Sequence, residues 1–431
     1  MSSANPYPIL RLRPKEDRRL RAGHLWVYSN EIDVQKTPLT AVTPGSVCRM
    51  EDAQGKALGL AHVNPHTLLC ARLLSRDPHV RIDEGFYRSR LQQALRMRER
   101  LFGAPFYRLV HGEGDGLPGL VIDRYEDHLV LQAGSLGMDR DLPLITAALQ
   151  GLLRPAGILL KASGAARRLE GLEDRVEVLF GHIPERLEVW ENDCLFQVDP
   201  RGGQKTGWFY DHRANRRRLR DFAQGRRVLD CFAYLGGFAI PLAKAGASAV
   251  TAVDSSAPAL AILEENARRN EVEGLHSIHG DAMETLHNLR DRGEQFDLIV
   301  LDPPALIKSK KDFKEGSIAY RRFNDMAMRL LTPGGILFSA SCSHHLSRET
   351  LLSQIAFAAQ RGDYQIIGEG SQDMDHPVHP AVPESNYLKG FFIHRREELP
   401  EEAEKTACLI TKRGGFLSPC PVTGTIAPTP A

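Results

Sequence analysis

From about residue 190 onward, apolar runs recur near 227–231, 249–254, 275–279, 296–302, 335–341, 364–369 and 388–394, with helical stretches such as 257–270 and 346–360 between them. Strand–helix alternation this regular predicts a parallel sheet covered by helices. Two runs are apolar almost throughout, Phe296-Asp297-Leu298-Ile299-Val300-Leu301 and Gly335-Ile336-Leu337-Phe338, as strands buried on both faces must be. The first runs into Asp302-Pro303-Pro304 and the second into Ser341-Cys342-Ser343-His344-His345. Both motifs therefore emerge at the carboxyl edge of one sheet, outside which open α/β folds bind their ligands. A thiol beside an acid-Pro-Pro loop there suggests covalent chemistry on a flat, electrophilic ring.

The chain has 431 residues, more than one ordinary domain needs. No apolar stretch approaches the roughly 20 residues that cross a bilayer, so no membrane partner is expected. Met1-Ser2-Ser3-Ala4-Asn5-Pro6 lacks the layout of a signal peptide. Seven cysteines with no Cys-x-x-Cys pair fit neither a disulfide framework nor a zinc site, so a cytoplasmic location and no metal are expected. Net charge is only +1, yet basic residues cluster. One cluster is Arg11, Arg13, Lys15, Arg18, Arg19 and Arg21; a second is Arg213, Arg216, Arg217, Arg218 and Arg220; a third is Lys308, Lys310, Lys311 and Lys314. Each alone reads as a solvated face, but three beside other motifs suggest a phosphate-backbone binder, with Arg213, Arg217, Lys308 and Lys310 as RNA contacts. Arg213 also reads as the start of the basic helix.

The whole is expected to be multidomain. Residues 8–81 read as short strands between Gly and Pro turns, a small β-barrel. With Gly45-Ser46-Val47 and Lys56-Ala57-Leu58-Gly59 in place, this stretch resembles a PUA domain, an RNA-binding pseudo-barrel. Residues 82–189 read as a central α+β unit: a helix to about 102, a hairpin through Tyr107–Val110 and Leu120–Tyr125, a strand Leu129–Gln132, a helix near 139–153 and a strand Gly157–Lys161. Residues 190–395 form the Rossmann-like α/β part, and the acidic, then Pro/Thr-rich 396–431 reads as a disordered tail holding Cys408 and Cys420.

Val228-Leu229-Asp230-Cys231-Phe232-Ala233-Tyr234-Leu235-Gly236-Gly237 is a strand, an acid and a Gly-rich turn opening a helix. It is not Gly-x-Gly-x-x-Gly, and a carboxylate beside a pyrophosphate would be repulsive. The acid suits a cofactor carrying an ammonium and a sulfonium, S-adenosylmethionine, with Phe232 and Gly236 in the turn against it. Asp254, closing the next strand, can accept both ribose hydroxyls. Asp281, in Ile278-His279-Gly280-Asp281, can take the adenine amino group, and Asp302 closes a fourth strand. Each acid alone reads as a cap or turn residue; four at strand ends read as a methyltransferase site.

Two prolines after Asp302 fix the backbone and remove two N–H groups, leaving an acid and carbonyls to meet a base edge. Ala305 stands where amino-group methyltransferases place a stacking aromatic, which counts against adenine N6. Cys342 supplies what carbon methylation needs: a thiolate adding at C6 of a pyrimidine makes C5 nucleophilic. The competing reading is a buried cysteine acting as a small hydrophobe; the polar flanks Ser341 and Ser343 and the His pair favour chemistry. Cys342 and Asp302 are thus the candidate catalytic pair.

Residues 8–395 resemble the bacterial 23S ribosomal RNA 5-methylcytosine methyltransferases, built from a PUA domain, a central domain and a methyltransferase domain. The resemblance rests on His24-Leu25-Trp26-Val27-Tyr28-Ser29, on Asp115-Gly116-Leu117-Pro118-Gly119-Leu120-Val121-Ile122-Asp123 and on Lys205-Thr206-Gly207-Trp208-Phe209-Tyr210-Asp211-His212-Arg213, and further on Asp302-Pro303-Pro304, Ser341–His345 and Tyr387-Leu388-Lys389-Gly390. It implies that Cys342 is the nucleophile and that Asp230, Asp254, Asp281 and Asp302 fill cofactor and catalytic positions. It implies 23S ribosomal RNA as partner, naked or in an assembling subunit, and leaves a homodimer open. The family's usual glutamine is replaced by His212, a change expected to be tolerated. Pro304 stands where other RNA 5-methylcytosine enzymes often carry a second, product-releasing cysteine, so release is expected to rely on another base, with Asp302, His344 and His345 as candidates. A guanine-specific methyltransferase without a covalent step, and a non-catalytic assembly factor, are the alternatives.

Overall fold

The computed structural model describes residues 7–397. The first five strands are β1 (Ile9–Arg11), β2 (Trp26–Tyr28), β3 (Ser46–Glu51), β4 (Ala57–Val63) and β5 (Leu69–Ser75), in the order β1-β3-β4-β5-β2. Their inward side chains, among them Leu10, Leu12, Met50, Val63 and Leu73, close a small core. Cys48 and Cys70 lie in it, and burial pushes both thiols up.

The next sheet orders β10-β9-β8-β7-β6, from β6 (Phe106–His111), β7 (Leu120–Tyr125), β8 (His128–Ala133), β9 (Gly157–Ala162) and β10 (Arg175–Gly181). Helix Glu84–Leu101 packs its Phe86, Tyr87, Leu91 and Leu95 side on it. The helix expected near 139–153 is two, Leu136–Arg140 and Leu142–Leu153. The chain restarts at Leu142 because Pro143 lacks an N–H and belongs in a first turn. Strand β10 lacks a sequence signal: it is an edge strand exposed along most of its length.

Strands β11 (Leu187–Glu191) and β12 (Cys194–Val198) form a hairpin across the expected boundary at 189/190. Asn192 and Asp193 turn it with φ of 52° and 61°, the two positive values a tight two-residue hairpin requires.

The last sheet follows the expected alternation: β13 (Arg227–Cys231), β14 (Ala249–Asp254), β15 (Leu275–His279), β16 (Phe296–Leu301), β17 (Leu331–Ser341), β18 (Tyr364–Ser371) and β19 (Lys389–Arg395). Their order is β15-β14-β13-β16-β17-β19-β18, with β19 antiparallel to both neighbours and the rest parallel. The chain leaves β13 toward β14 and β15 and returns to β16 on the other side. A crevice opens at that reversal, between the ends of β13 and β16, the usual place for a ligand. The tail assigned to 396–431 lies, from residue 398, outside the described residues, with Cys408 and Cys420.

Candidate active site

A cavity of about 910 Å³ opens at this carboxyl edge. Asp254, Asp302, Pro303, Pro304 and Cys342 line one side, Lys205, Asp211, His212 and Tyr387 another, and Trp26 and Gln132 bring in the barrel and the central sheet. Asp302 and Cys342, about 40 residues apart in sequence, share this space because β16 and β17 are parallel neighbours.

The turn after β13 is tightly constrained. Phe232 and Tyr234 take φ of 66° and 49°, in the left-handed region that side chains disfavour. Asp254 stabilises it: one oxygen accepts from Tyr234 N at 2.8 Å and the other from Ser256 N at 2.8 Å. Gly236, at φ 85°, has no room for a Cβ, which would meet Ile240 at 2.8 Å. The Tyr234 hydroxyl accepts from Gln204 N at 2.9 Å and donates to Gly207 O at 3.2 Å, pulling the Lys205-Thr206-Gly207 loop over the turn. Asp230 lies beneath, fully buried. One oxygen accepts from Ala239 N at 3.0 Å; the other meets no donor. Burial pushes its carboxyl up to about 8.

Cys342 is half-buried, while the four other described cysteines are buried. Burial pushes its thiol above the ordinary value, the Lys205 ammonium pulls it back, and Asp302 and Asp211 add to the rise. Lys389 donates from Nζ to Ser343 O at 2.7 Å, and burial brings its ammonium down to about 8 against the opposing influence of Cys342. Lys205 stands 5.0 Å from the Phe209 ring centroid and 5.9 Å from that of Tyr387. Asp302 lies 3.2 Å from His212 Nε2. Asp211, buried, accepts from the Tyr387 hydroxyl at 2.5 Å; against the cost of burial, the neighbouring His212 and His376 rings, then Lys205 and the Tyr387 hydroxyl, hold its carboxyl well below the usual range.

The serines flanking Cys342 have a different role from the one the sequence suggested. Ser341 and Ser343 are fully buried. Ser341 Oγ donates to the Tyr320 hydroxyl at 2.8 Å, and that hydroxyl pairs with Ser343 Oγ at 2.9 Å. Ile307 N, three residues beyond Pro304, donates to Ser343 Oγ at 3.3 Å. This network joins the cysteine loop to the acid-Pro-Pro loop. His344 stands at the rim, its ring 5.4 Å from that of Tyr387; desolvation, then Lys389 and Lys205, lower its pKa, so it stays neutral near pH 7.

A model of S-adenosylmethionine-dependent methyltransferases matches residues 168–382, and one of PUA-like domains matches residues 10–76. A ribosomal RNA large subunit methyltransferase I from Cronobacter sakazakii is 36% identical over 386 residues, 88% of this chain and 97% of the relative. One from Klebsiella pneumoniae is 35% identical over 393 residues, 89% and 98% of the two chains. The chain belongs to this methyltransferase family. Two solved structures share the fold at 21% identity, covering 90% of this chain and 100% of theirs. One, SMU.776 complexed with SAH and named as a methyltransferase, has a TM-score of 0.78; the other, from Streptococcus mutans and named as S-adenosylmethionine-dependent, 0.77.

The residues present fit the family's cofactor. A buried carboxylate oxygen with no donor beneath a glycine turn favours a nearby cation, and the cofactor carries a sulfonium and an ammonium. Phe232, Asp254 and Asp302 line the cavity, whereas Asp230 and Gly236 act from below it. Asp281 is outside the lining: it is an exposed N-cap accepting from Glu284 N at 3.0 Å, the role a lone acid at a helix start usually has.

The expected RNA contacts divide. Arg213 is held inside, 3.5 Å from Glu191 and Asp375 and 3.6 Å from Asp373, with its guanidinium 4.4 Å from the Phe102 ring centroid. It is a clamp between units and has no free face for phosphate. Arg216 is likewise buried on Glu191, Arg218 bonds Ile367 and Glu369 carbonyls, and Arg220 pairs with Asp193. Arg217 stays exposed, as do Lys308 and Lys310 just past the acid-Pro-Pro loop. Lys205, Asp211, Tyr387 and Lys389 lay within quoted motifs, and Tyr320 outside them; no sequence signal gave any of the five its role.

Proposed function

We propose that this chain methylates C5 of a cytosine in 23S ribosomal RNA through a bond between Cys342 Sγ and C6. The observation that carries the reading is Cys342 itself: the one cysteine among the described residues with solvent access lies in the cofactor cavity, beside Asp302 and within the influence of two lysines. The relatives' names supply the large-subunit RNA. Lys205 favours the thiolate, the form that attacks. Sγ adds at C6 and the ring electrons move onto C5. S-adenosylmethionine supplies a methyl group made electrophilic by its sulfonium. Asp302 then takes the C5 proton, the C5–H electrons restore the C5=C6 bond, and Sγ leaves. The target base must leave its stack to reach the thiol. Lys308 and Lys310, exposed just past the acid-Pro-Pro loop, and the exposed Arg217 are suited to RNA phosphates.

RNA carrying 5-fluorocytosine tests this, because fluorine at C5 cannot leave as a proton and the enzyme stays attached. Wild type should give a complex stable to denaturant, and Cys342→Ala should give none and no methyl transfer. Methyl transfer retained by Cys342→Ala would refute the covalent route and favour a guanine or amino-group target.

A further inference from the structure

His212 is 3% exposed and lies edge-on to Phe238 and Phe338, with ring centroids 5.2 and 6.2 Å away. Its two nitrogens have different neighbours. Nδ1 lies 3.1 Å from Asn215 Nδ2, and Nε2 lies 3.2 Å from Asp302 Oδ2. The Asn215 amide is itself oriented, because Nδ2 also donates to Ser371 O at 3.1 Å, and a flipped amide would set two carbonyl oxygens against each other. Its second N–H therefore points at His212 Nδ1, which must accept. The single ring proton is then on Nε2, facing the Asp302 carboxylate.

We propose that His212 is a positioning residue: locked by Asn215 as the Nε2–H tautomer, it donates toward Asp302 and holds that carboxylate as the acceptor of the C5 proton. The proposal rests on the cytosine-C5 reading above. It also gives a physical reason why histidine serves where the family resemblance expects glutamine: either presents one N–H to Asp302 from the same helix entrance. A second ring proton would displace the Asn215 bond, so His212 is a donor and not itself the base. Asp302 keeps its other oxygen for substrate. Among the described residues Asp302 is the acid paired with the His212 ring, and Asp211, Lys205 and Arg216 line the same cavity.

Two measurements test it. In protein labelled with nitrogen-15 histidine, the His212 ring should show a protonated Nε2 and a bare Nδ1, and Asn215→Leu should relax that preference. In turnover, His212→Ala should lower kcat about 10- to 100-fold, less than the roughly 10²- to 10⁴-fold that a proton-transfer group itself contributes, because Asp302 remains in place. KM for RNA and cofactor should stay within about twofold, and the RNA–protein adduct should accumulate on ordinary RNA, because its breakdown is the slowed step. His212→Gln should stay within about threefold of wild type by restoring an N–H donor. An Nδ1–H tautomer, a kcat for His212→Ala near that of wild type, or a His212→Gln as slow as the alanine variant overturns the proposal. If His212→Ala fails to fold, the tautomer and the glutamine variant still decide. A wild type that forms no adduct with 5-fluorocytosine RNA overturns the underlying cytosine reading and this role with it. An adduct in wild type with unimpaired His212→Ala overturns this role alone.

Discussion

Tyr320→Phe removes one oxygen from the buried network that brackets Cys342. The hydroxyl accepts from Ser341 Oγ at 2.8 Å and pairs with Ser343 Oγ at 2.9 Å; both serines are buried, as is Tyr320 itself. Two hydrogen bonds of about 1 kcal/mol net each disappear, and a hydroxyl left without a partner in a buried site adds to the cost, giving about 2–3 kcal/mol. For a unit of about 200 residues that is a fall in Tm of roughly 4–10 °C. Phenylalanine fills the same volume, so a cavity contributes little. The lost bonds also orient Ser343 Oγ, which accepts from Ile307 N beyond the acid-Pro-Pro loop, so kcat should fall about tenfold, as small misplacements of reacting groups do. Differential scanning fluorimetry and single-turnover methyl transfer read the two effects. A Tm within about 1 °C of wild type with unchanged turnover would refute the claim that this network sets the distance between thiol and acid.

Three further outcomes follow from the same geometry. Asp230→Asn should stabilise the cofactor-free protein at pH 8 by about 3 °C or more and do little near pH 4: burial raises this carboxyl to about 8, above its unfolded value, so its contribution is full at low pH and is lost as pH rises through 8. The same variant should bind S-adenosylmethionine more weakly, measured by calorimetry. Arg213→Ala should cost about 3 kcal/mol, and the deficit should grow from pH 5 to 8 in melts. The reason is that burial and Asp375 raise the Asp373 carboxyl to about 6, and above it Asp373 ionises without the Arg213 guanidinium to face it. Lys308→Ala with Lys310→Ala should weaken RNA binding at low salt and reduce the salt slope by about 1–2, leaving Tm within about 1 °C.

The last sheet was legible because its inner strands are buried on both faces, and continuous runs such as Leu298–Leu301 allow no other reading. Edge strands differ. Arg175–Gly181 is exposed over most of its length and carries no core pattern. The β11–β12 hairpin did announce itself, in Asn192-Asp193 between alternating strands, but the signal falls at a presumed domain boundary, where a turn passes for a linker. For the site, strand ends located Asp254, Asp302 and Cys342, since a residue's place at the carboxyl edge follows from where its strand stops. What Lys205, Asp211 and Tyr387 do depends on loops that meet from 176 residues apart, as Tyr387 and Asp211 do, and periodicity carries no record of that. The Arg213–Arg220 cluster shows the same limit: composition counts cations but not the acids that face Arg213, Arg216 and Arg220.

Those spent cations have a consequence for how the RNA surface is organised. The loop between β18 and β19 touches every unit. Val382 is packed in the barrel core, Asp375 accepts from Arg108 N at 2.9 Å in the central sheet, and Tyr387 reaches Asp211 at the cavity. Arg98, fully buried, binds both Asp115 and the Asp375 carbonyl at 2.7 Å, so the central helix and this loop share one guanidinium. Arg213 adds the helix that follows the cavity wall. Buried pairs of this kind are poor sources of net stability but costly to break singly, because each leaves a charge uncompensated. They therefore act more as registration than as glue: a shift of the barrel against the methyltransferase sheet would strip several partners at once. With that register fixed, the barrel's Trp26 and Cys342 line one cavity, and on the reading proposed above an RNA held by the barrel meets the thiol at a set distance along its strand. On that reading the spacing between the units would measure the position of the target base, and the exposed lysines would supply attraction without choosing the site.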